Sequence, residues 1–471
     1  MKPLRWGILG IFLFGYLLTF ARFDEFTFEY LFYTLLSIVS CAILLLKMQR
    51  FDMSRAAVWL VLVVFLAVYY VKFYILAIDP EAFELVLPPS TWNAISSIDA
   101  SIHGFFLATL SFCAFCITAF LCLSVVDYRS QGHKAASLSS RKETYALASK
   151  ILLVLLLPVI GVSGYLASEY DIGQLGAAVD DPLPFHLGGA LFYFRLIFIP
   201  GLLLLLVVCA DRAGNIKMAR IGVFLLLAYG VLDIVLRSSR SGLLVQLLSL
   251  VFLVMVGGFK PRRFDKRVIF SVLVVSALLT PLITEYRWLR LSGISSGDGF
   301  MPAFRGLLEL DFNLWETLLK GMEFVFFRIT GIEIVIAMLG LGTEPLGAQA
   351  VDVLSSFRGV AGYLTVDIFG YPADLPHTNA PGFVGWFYLV GGNAGIILGS
   401  VILGLFVTIL WDTIGRMRLY SGPIFRTFVL LVLFFAITDG VLDSMLLQIF
   451  AIIVSIGCLE LFMRCLGRFR A

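Results

Sequence analysis

Charged residues are scarce in this chain: Asp, Glu, Lys and Arg make up 14% of its 471 residues, while 60% are apolar and the mean hydropathy is +0.97. That balance excludes a soluble multidomain protein, which would be left with far more apolar surface than water tolerates. The net charge of +3 implies no nucleic-acid partner.

Histidine is scarcer still. There are four (His103, His133, His186 and His377), with no cluster able to hold zinc. The seven cysteines fall in apolar runs or near the C-terminal end, so no disulfide framework is expected. Cys113 and Cys116 have CxxC spacing, but the stretch LSFCAFCITAFLCL has no polar surround and no second pair; they read as small buried hydrophobes. The sequence also lacks a Gly-rich phosphate loop with Lys and Ser/Thr, HExxH and GxSxG. No cytoplasmic nucleotide-driven activity has a site, and neither a cofactor nor a metal is called for. No internal repeat or low-complexity tract appears. The apolar run from Trp6 to Phe20 has no small-residue cleavage site after it, so it reads as a retained first span.

What the chain has in abundance is long apolar runs. A helix needs about 20 mostly apolar residues to cross a bilayer, and about twelve runs qualify. They cover approximately residues 6–21, 28–46, 56–78, 101–126, 151–167, 191–210, 221–236, 242–259, 268–283, 383–410, 422–438 and 445–463. The expected fold is therefore all-α, a polytopic transmembrane helical bundle forming one integral membrane domain over residues 1–471. With a cytoplasmic N-terminus, the inside segments hold 23 of the 35 Lys and Arg, and the short outside segments hold three, Arg22, Arg237 and Arg240. Such asymmetry orients insertion, so both termini are expected on the cytoplasmic side of the membrane.

The ninth and tenth runs are separated by residues 284–382, a large periplasmic loop much longer than a connection requires. Within it, GMEFVFFRITGIEIVIAMLGLG is long enough to span but carries Glu323, Arg328 and Glu333. Charges at the bilayer centre are costly, and counting it as a span would reverse the sidedness of everything after it. An interfacial or re-entrant helix is expected instead.

The outer face carries Arg237, Arg240, Arg287, Arg290, Arg305, Arg328 and Arg358 with a single lysine, Lys320. Guanidinium grips phosphate or carboxylate in two places at once and stays charged when partly desolvated, which suits a ligand with an anionic head and a greasy tail. Any one of these arginines reads equally well as the partner of an acid in the same loop, such as Glu285, Asp298, Asp311, Glu333 or Asp367. Arg237 with Arg240, and Arg287 with Arg290, are each three apart, which puts each pair on one helix face. His377, in HTNAPG, reads either as a turn-stabilising hydrogen bond or as a proton acceptor near neutral pH. Lys72 and Arg195 lie inside apolar runs and are expected to snorkel to the outer interface rather than line a transport path.

The turn RSSRSGLL, the loop segment RITGIE and the stretch HTNAPGFVGWFYLVGGNAGIILGSVILGLF resemble the O-antigen or oligosaccharide repeat-unit polymerases, the Wzy-type proteins, mainly over residues 230–410. The resemblance implies a membrane glycosyltransferase, similar to the GT-C-type class, that joins polyprenyl-diphosphate-linked oligosaccharides at the periplasmic face. It implies His377, Arg290 and Arg328 as catalytic residues. It implies Arg237, Arg240, Arg287, Arg290, Arg328 and Arg358 as the diphosphate-binding set. Lipid-linked oligosaccharide substrates, membrane lipid and a chain-length regulator protein are the implied partners. The related O-antigen ligases share the architecture, and a transporter or flippase of lipid-linked oligosaccharide is the competing class.

Overall fold

The computed structural model describes residues 2–20, 28–48, 55–83, 87, 89–130, 142–170, 172, 187–237, 241–262, 267, 270–271, 274, 326, 329–356, 359–372, 379–417, 419–440 and 442–468. Every regular element among them is helical. In chain order they are α1 (Lys2–Phe20), α2 (Phe28–Lys47), α3 (Ala56–Ile78), α4 (Trp92–Ile95), α5 (Ile98–Ser130), α6 (Lys142–Glu169), α7 (Leu187–Arg212) and α8 (Ile216–Arg237). There follow α9 (Ser241–Met255), α10 (Ile332–Gly340), α11 (Ala350–Ser355), α12 (Gly359–Ile368), α13 (Gly382–Arg416), α14 (Gly422–Thr438) and α15 (Leu442–Arg468).

Among the described residues, seven helices are long and apolar enough to cross a membrane: α2, α3, most of α5, α6, α7, α13 and Met445–Arg468 of α15. Their surfaces agree with that environment. Val154, Leu157 and Val162 of α6 are at least 60% exposed, as is Phe450 of α15, whereas Ser37, Ser111 and Ser400 are buried. A water-soluble bundle would reverse that arrangement. Four shorter apolar helices, Gly7–Leu17, Gly242–Met255, Gly359–Ile368 and Gly422–Thr438, accompany the seven. The expected ninth run, 268–283, lies almost wholly outside the described residues.

The chain divides into two compact units. The first comprises residues 1–135, 327–417 and 432–446, and the second 136–326, 418–431 and 447–471. In the first unit, α5 packs on α2 and on α13. Hydroxyls stitch these contacts: Ser37 Oγ donates to Thr109 Oγ1 at 3.3 Å, and Ser111 Oγ and Ser400 Oγ are 2.7 Å apart. Glycines allow the close approach. A Cβ on Gly104 would lie 2.7 Å from Ile336, and one on Gly404 would lie 2.9 Å from Thr118. In the second unit, α7 packs between α6 and α8, and α8 against α9, where Gly230 sits under Leu243.

The run expected as one straight span at 383–410 is corrected by the structure. Gly391 (φ −146°, ψ 15°) and Gly392 (φ 59°, ψ −148°) break α13 into an arm of residues 382–390 and an arm from 393 to 416. Phe387 of the first arm lies on the second arm, so a Cβ on Gly399 would be 2.6 Å from its ring. In an unbroken helix these two residues would stand about 18 Å apart. The element is thus a helical hairpin. Gly392 supplies the left-handed backbone of its bend, and Gly395 and Gly399 leave room for Phe387. The second arm, about 36 Å long, can cross alone; the first, about 13 Å, cannot.

α10 is a second short helix, nine residues long and buried from Ile332 to Met338. Gly331 at its start lies against the backbone of Val68, about 15 Å along α3 from Ile78. Gly340 at its end lies against Ala94 of α4. The first arm of α13 runs the same way. Gly382 starts it beside Tyr69 of α3, and its end returns to the loop after α10, where Leu346 N–H donates to Leu389 O at 2.7 Å. Two half-length helices therefore begin together partway along α3 and run toward one end of their unit.

Candidate functional site

The point where these two helices begin is built from four stretches of sequence. Tyr69 and Lys72 come from α3, at and just after a π-helical stretch, Leu66–Val71, which offsets the helix register locally. Lys72 has 0% of its surface exposed, and its Nζ donates to Glu333 Oε1 at 2.8 Å and to the carbonyl of Ile329. The same Oε1 accepts the Gly331 N–H at 3.0 Å. A buried carboxylate in the first turn of α10 thus meets the free N–H groups and positive end of that helix, and a buried ammonium besides. The other oxygen, Glu333 Oε2, is buried and has no hydrogen-bond partner among the described residues.

Tyr69 Oη donates to Ile437 O at 3.3 Å and accepts from the Val384 N–H at 3.1 Å, joining the first arm of α13 to the end of α14. Gly382 N–H donates to Asp439 O at 3.2 Å. A Cβ on Gly382 would lie 3.1 Å from Tyr69 Oη and 3.6 Å from Thr330 Cγ2. Gly382 has a φ of 67° and Gly440, in direct contact with it, a φ of 62°; the backbone conformation disfavours a side chain at either position, and at Gly440 the Gly382 backbone leaves no space for one. Next to this crossing, in the turn after α14, the Asp439 carboxyl accepts from Thr438 Oγ1 at 3.2 Å, and burial pushes it up to about 6.

In the second unit a similar pair forms. Arg195, in the π-helical stretch Phe194–Phe198 of α7, is 3% exposed, and its Nη2 donates to Asp233 Oδ1 of α8 at 3.2 Å. Tyr229 Oη donates to Arg195 O at 2.7 Å. Gly242, the last residue of RSSRSG, packs on that carboxylate: a Cβ there would lie 2.9 Å from Asp233 Oδ2.

The expectation that Lys72 and Arg195 snorkel is therefore wrong. Each is buried and neutralised by a carboxylate from another helix, because at full burial an unpaired cation costs more than the ordering of a pair. The sequence names the cations but not their partners: Glu333 is 261 positions from Lys72.

Of the sequence-predicted site residues, Arg240, Arg287, Arg290, Arg328, Arg358 and His377 lie outside the described residues, as does the side chain of Arg237 at the end of α8. The described neighbours of two of them converge. Thr330 follows Arg328 by two positions, and Gly382 follows His377 by five, and these two meet across Tyr69. Asn379, two positions after His377, is tied to α12 by its N–H, which donates to Thr365 Oγ1 at 2.7 Å. Among the described residues no group of three His, Cys, Asp or Glu side chains is placed to hold a metal. Cys113 and Cys116 are buried, free thiols.

No family model, curated protein or solved structure matches this chain. The family resemblance rests on the residues quoted for it.

Proposed function

We propose that this protein is a membrane glycosyltransferase that polymerises polyprenyl-diphosphate-linked oligosaccharide units into O-antigen or a related surface polysaccharide. In this reading about twelve spans cross the bacterial inner membrane, both termini are cytoplasmic, and the reaction takes place at the periplasmic face. The observation that carries the proposal is the meeting of Thr330 with Gly382, two positions after Arg328 and five after His377 within the long loop, which supports a common site for those two residues.

The chemistry follows from those side chains. An acceptor sugar hydroxyl attacks the anomeric carbon of the lipid-linked glycan, its proton passing to His377. The new O–C bond forms as the bond from that carbon to the diphosphate oxygen breaks, and polyprenyl diphosphate leaves. Arg240, Arg287, Arg290 and Arg328 stabilise the negative charge that gathers on the leaving group, with Arg237 and Arg358 completing the anion site. The energy is already stored in the donor, so no nucleotide is consumed.

The half-length helices and the buried ion pairs between helices also suit a transporter of lipid-linked oligosaccharide, where broken helices line a path. Deletion of the gene separates these readings. Loss of the ladder of chain lengths, with single repeat units still on the lipid anchor core, supports the polymerase. Loss of all capped core indicates a ligase, and lipid-linked repeats accumulating on the cytoplasmic side indicate transport.

A further inference from the structure

Where the two half-length helices end, the loop after α10 and the helix α12 enclose an open recess of about 580 Å³ within the first unit. That is within the range of small-molecule sites, about 300 to 1,000 Å³. Its polar walls are Thr343, Glu344 and Gln349 on the loop and Tyr363 and Asp367 on α12. Its rim is fixed. Leu346 N–H is bonded to Leu389 O, Pro345 lies against Gly392 at the bend of α13, and Tyr388 Oη donates to Thr343 O at 3.3 Å. None of the side chains of Glu344, Gln349, Tyr363 and Asp367 is hydrogen-bonded or ion-paired among the described residues. Their donors and acceptors face the recess or water.

From this lining we infer that the recess is the acceptor-glycan site, and that it takes a short run of uncharged or amino sugars. The inference rests on the polymerase reading. Carboxylates accept from pairs of sugar hydroxyls or an amino group, an amide donates and accepts at once, and a tyrosine ring gives a flat apolar face for a pyranose. Among the described residues the lining holds two carboxylates and no Lys or Arg. A diphosphate or a uronic acid would be repelled here, so the anionic end of a lipid-linked substrate is left to the arginines.

The recess also has a physical link to the proposed base. Thr365, two positions before Asp367 in α12, holds the Asn379 N–H, and Asn379 follows His377 by two positions. A glycan lying along α12 would end beside Asn379, two positions after His377 in sequence. The fixed rim means that little ordering is needed on binding.

The test uses the full-length protein in lipid nanodiscs, titrated calorimetrically with oligosaccharides released by partial acid hydrolysis from the surface polysaccharide of the cells that make it. These fragments carry no lipid and no diphosphate, so binding is read apart from transfer. The expected result is that wild type binds them, that Asp367→Asn combined with Tyr363→Ala weakens binding by about tenfold or more, and that inorganic diphosphate does not compete. Monodisperse elution and unchanged thermal unfolding of each variant show that it is folded. Fragments that fail to bind wild type, that bind the double variant equally well, or that are displaced by diphosphate overturn the inference. Elongation assayed in parallel separates the two readings. If His377→Ala and Arg290→Ala both elongate fully while binding still depends on Asp367, the polymerase site is wrong and the glycan recess stands. If elongation needs both while binding ignores Asp367, the reverse holds.

Discussion

Lys72 and Glu333, 261 positions apart in sequence, form an ion pair of 2.8 Å with essentially no exposed surface on either side chain. The pair fixes where α10 starts, because Lys72 also holds the Ile329 carbonyl and Glu333 also holds the Gly331 N–H. Removing one partner leaves a buried charge without compensation, typically costing about 3 to 5 kcal/mol. Lys72→Met and Glu333→Gln should each lower the thermal unfolding midpoint in detergent sharply. Lys72→Met combined with Glu333→Leu should recover much of that loss. A Lys72→Met variant as stable as wild type would show that the pair does not hold α10.

The bend of α13 makes a second, separable prediction. Gly399→Val places a branched side chain on the ring of Phe387 and should cost about 1 to 3 kcal/mol by overpacking. Combining it with Phe387→Ala vacates that space, so the double variant should be more stable than the sum of the single losses predicts. Additive losses in denaturant unfolding would mean that the two arms do not touch.

The pH dependence of stability should carry the signature of Asp439. Its carboxyl is held at about 6, against an ordinary 3.8, so the folded chain binds this proton more tightly than the unfolded chain does. Its contribution is therefore fully present below about pH 4 and is lost as pH rises through about 6, on the order of 1–2 kcal/mol once water at its partly exposed edge is allowed for. Asp439→Asn should flatten that part of the profile and raise the midpoint at pH 7.5 relative to wild type. A variant whose unfolding profile between pH 4.5 and 7.5 matches wild type would place the titration elsewhere.

In the second unit, Gly242→Val should drive a methyl into Asp233 and weaken its bond to Arg195. A loss of about 2 kcal/mol or more is expected in unfolding experiments. Gly242→Ala should lose less. Equal stability of Gly242→Val and wild type would contradict the close packing of the RSSRSG turn on that carboxylate.

Much of the frame is legible in the sequence because spanning helices need length and apolarity, and both are visible residue by residue. Lys72 and Arg195 also stand out as charges within apolar runs. Their partners do not, since pairing between distant helices leaves no local pattern. The break at Gly391–Gly392 is hidden for a related reason: two glycines in VGGNAG are tolerated by an apolar helix, and only the fit of Phe387 against Gly395 and Gly399 turns them into a bend. Tyr69 reads as one more aromatic in a run of aromatics, yet its hydroxyl ties α3 to Val384 and Ile437. Arginine spacing and the HTNAPG stretch single out a candidate chemistry, and the described residues Thr330, Gly382 and Asn379 bring the flanks of Arg328 and His377 into one region.

The most direct test of the proposed activity is reconstitution. Purified protein in liposomes is supplied with polyprenyl-diphosphate-linked repeat units, and chain length is read on a gel alongside His377→Ala. The account predicts that wild type lengthens the glycan with release of polyprenyl diphosphate, and that the variant, folded and inserted, leaves single units. Full elongation by His377→Ala, or no elongation by wild type from a substrate isolated from its own cells, would contradict it.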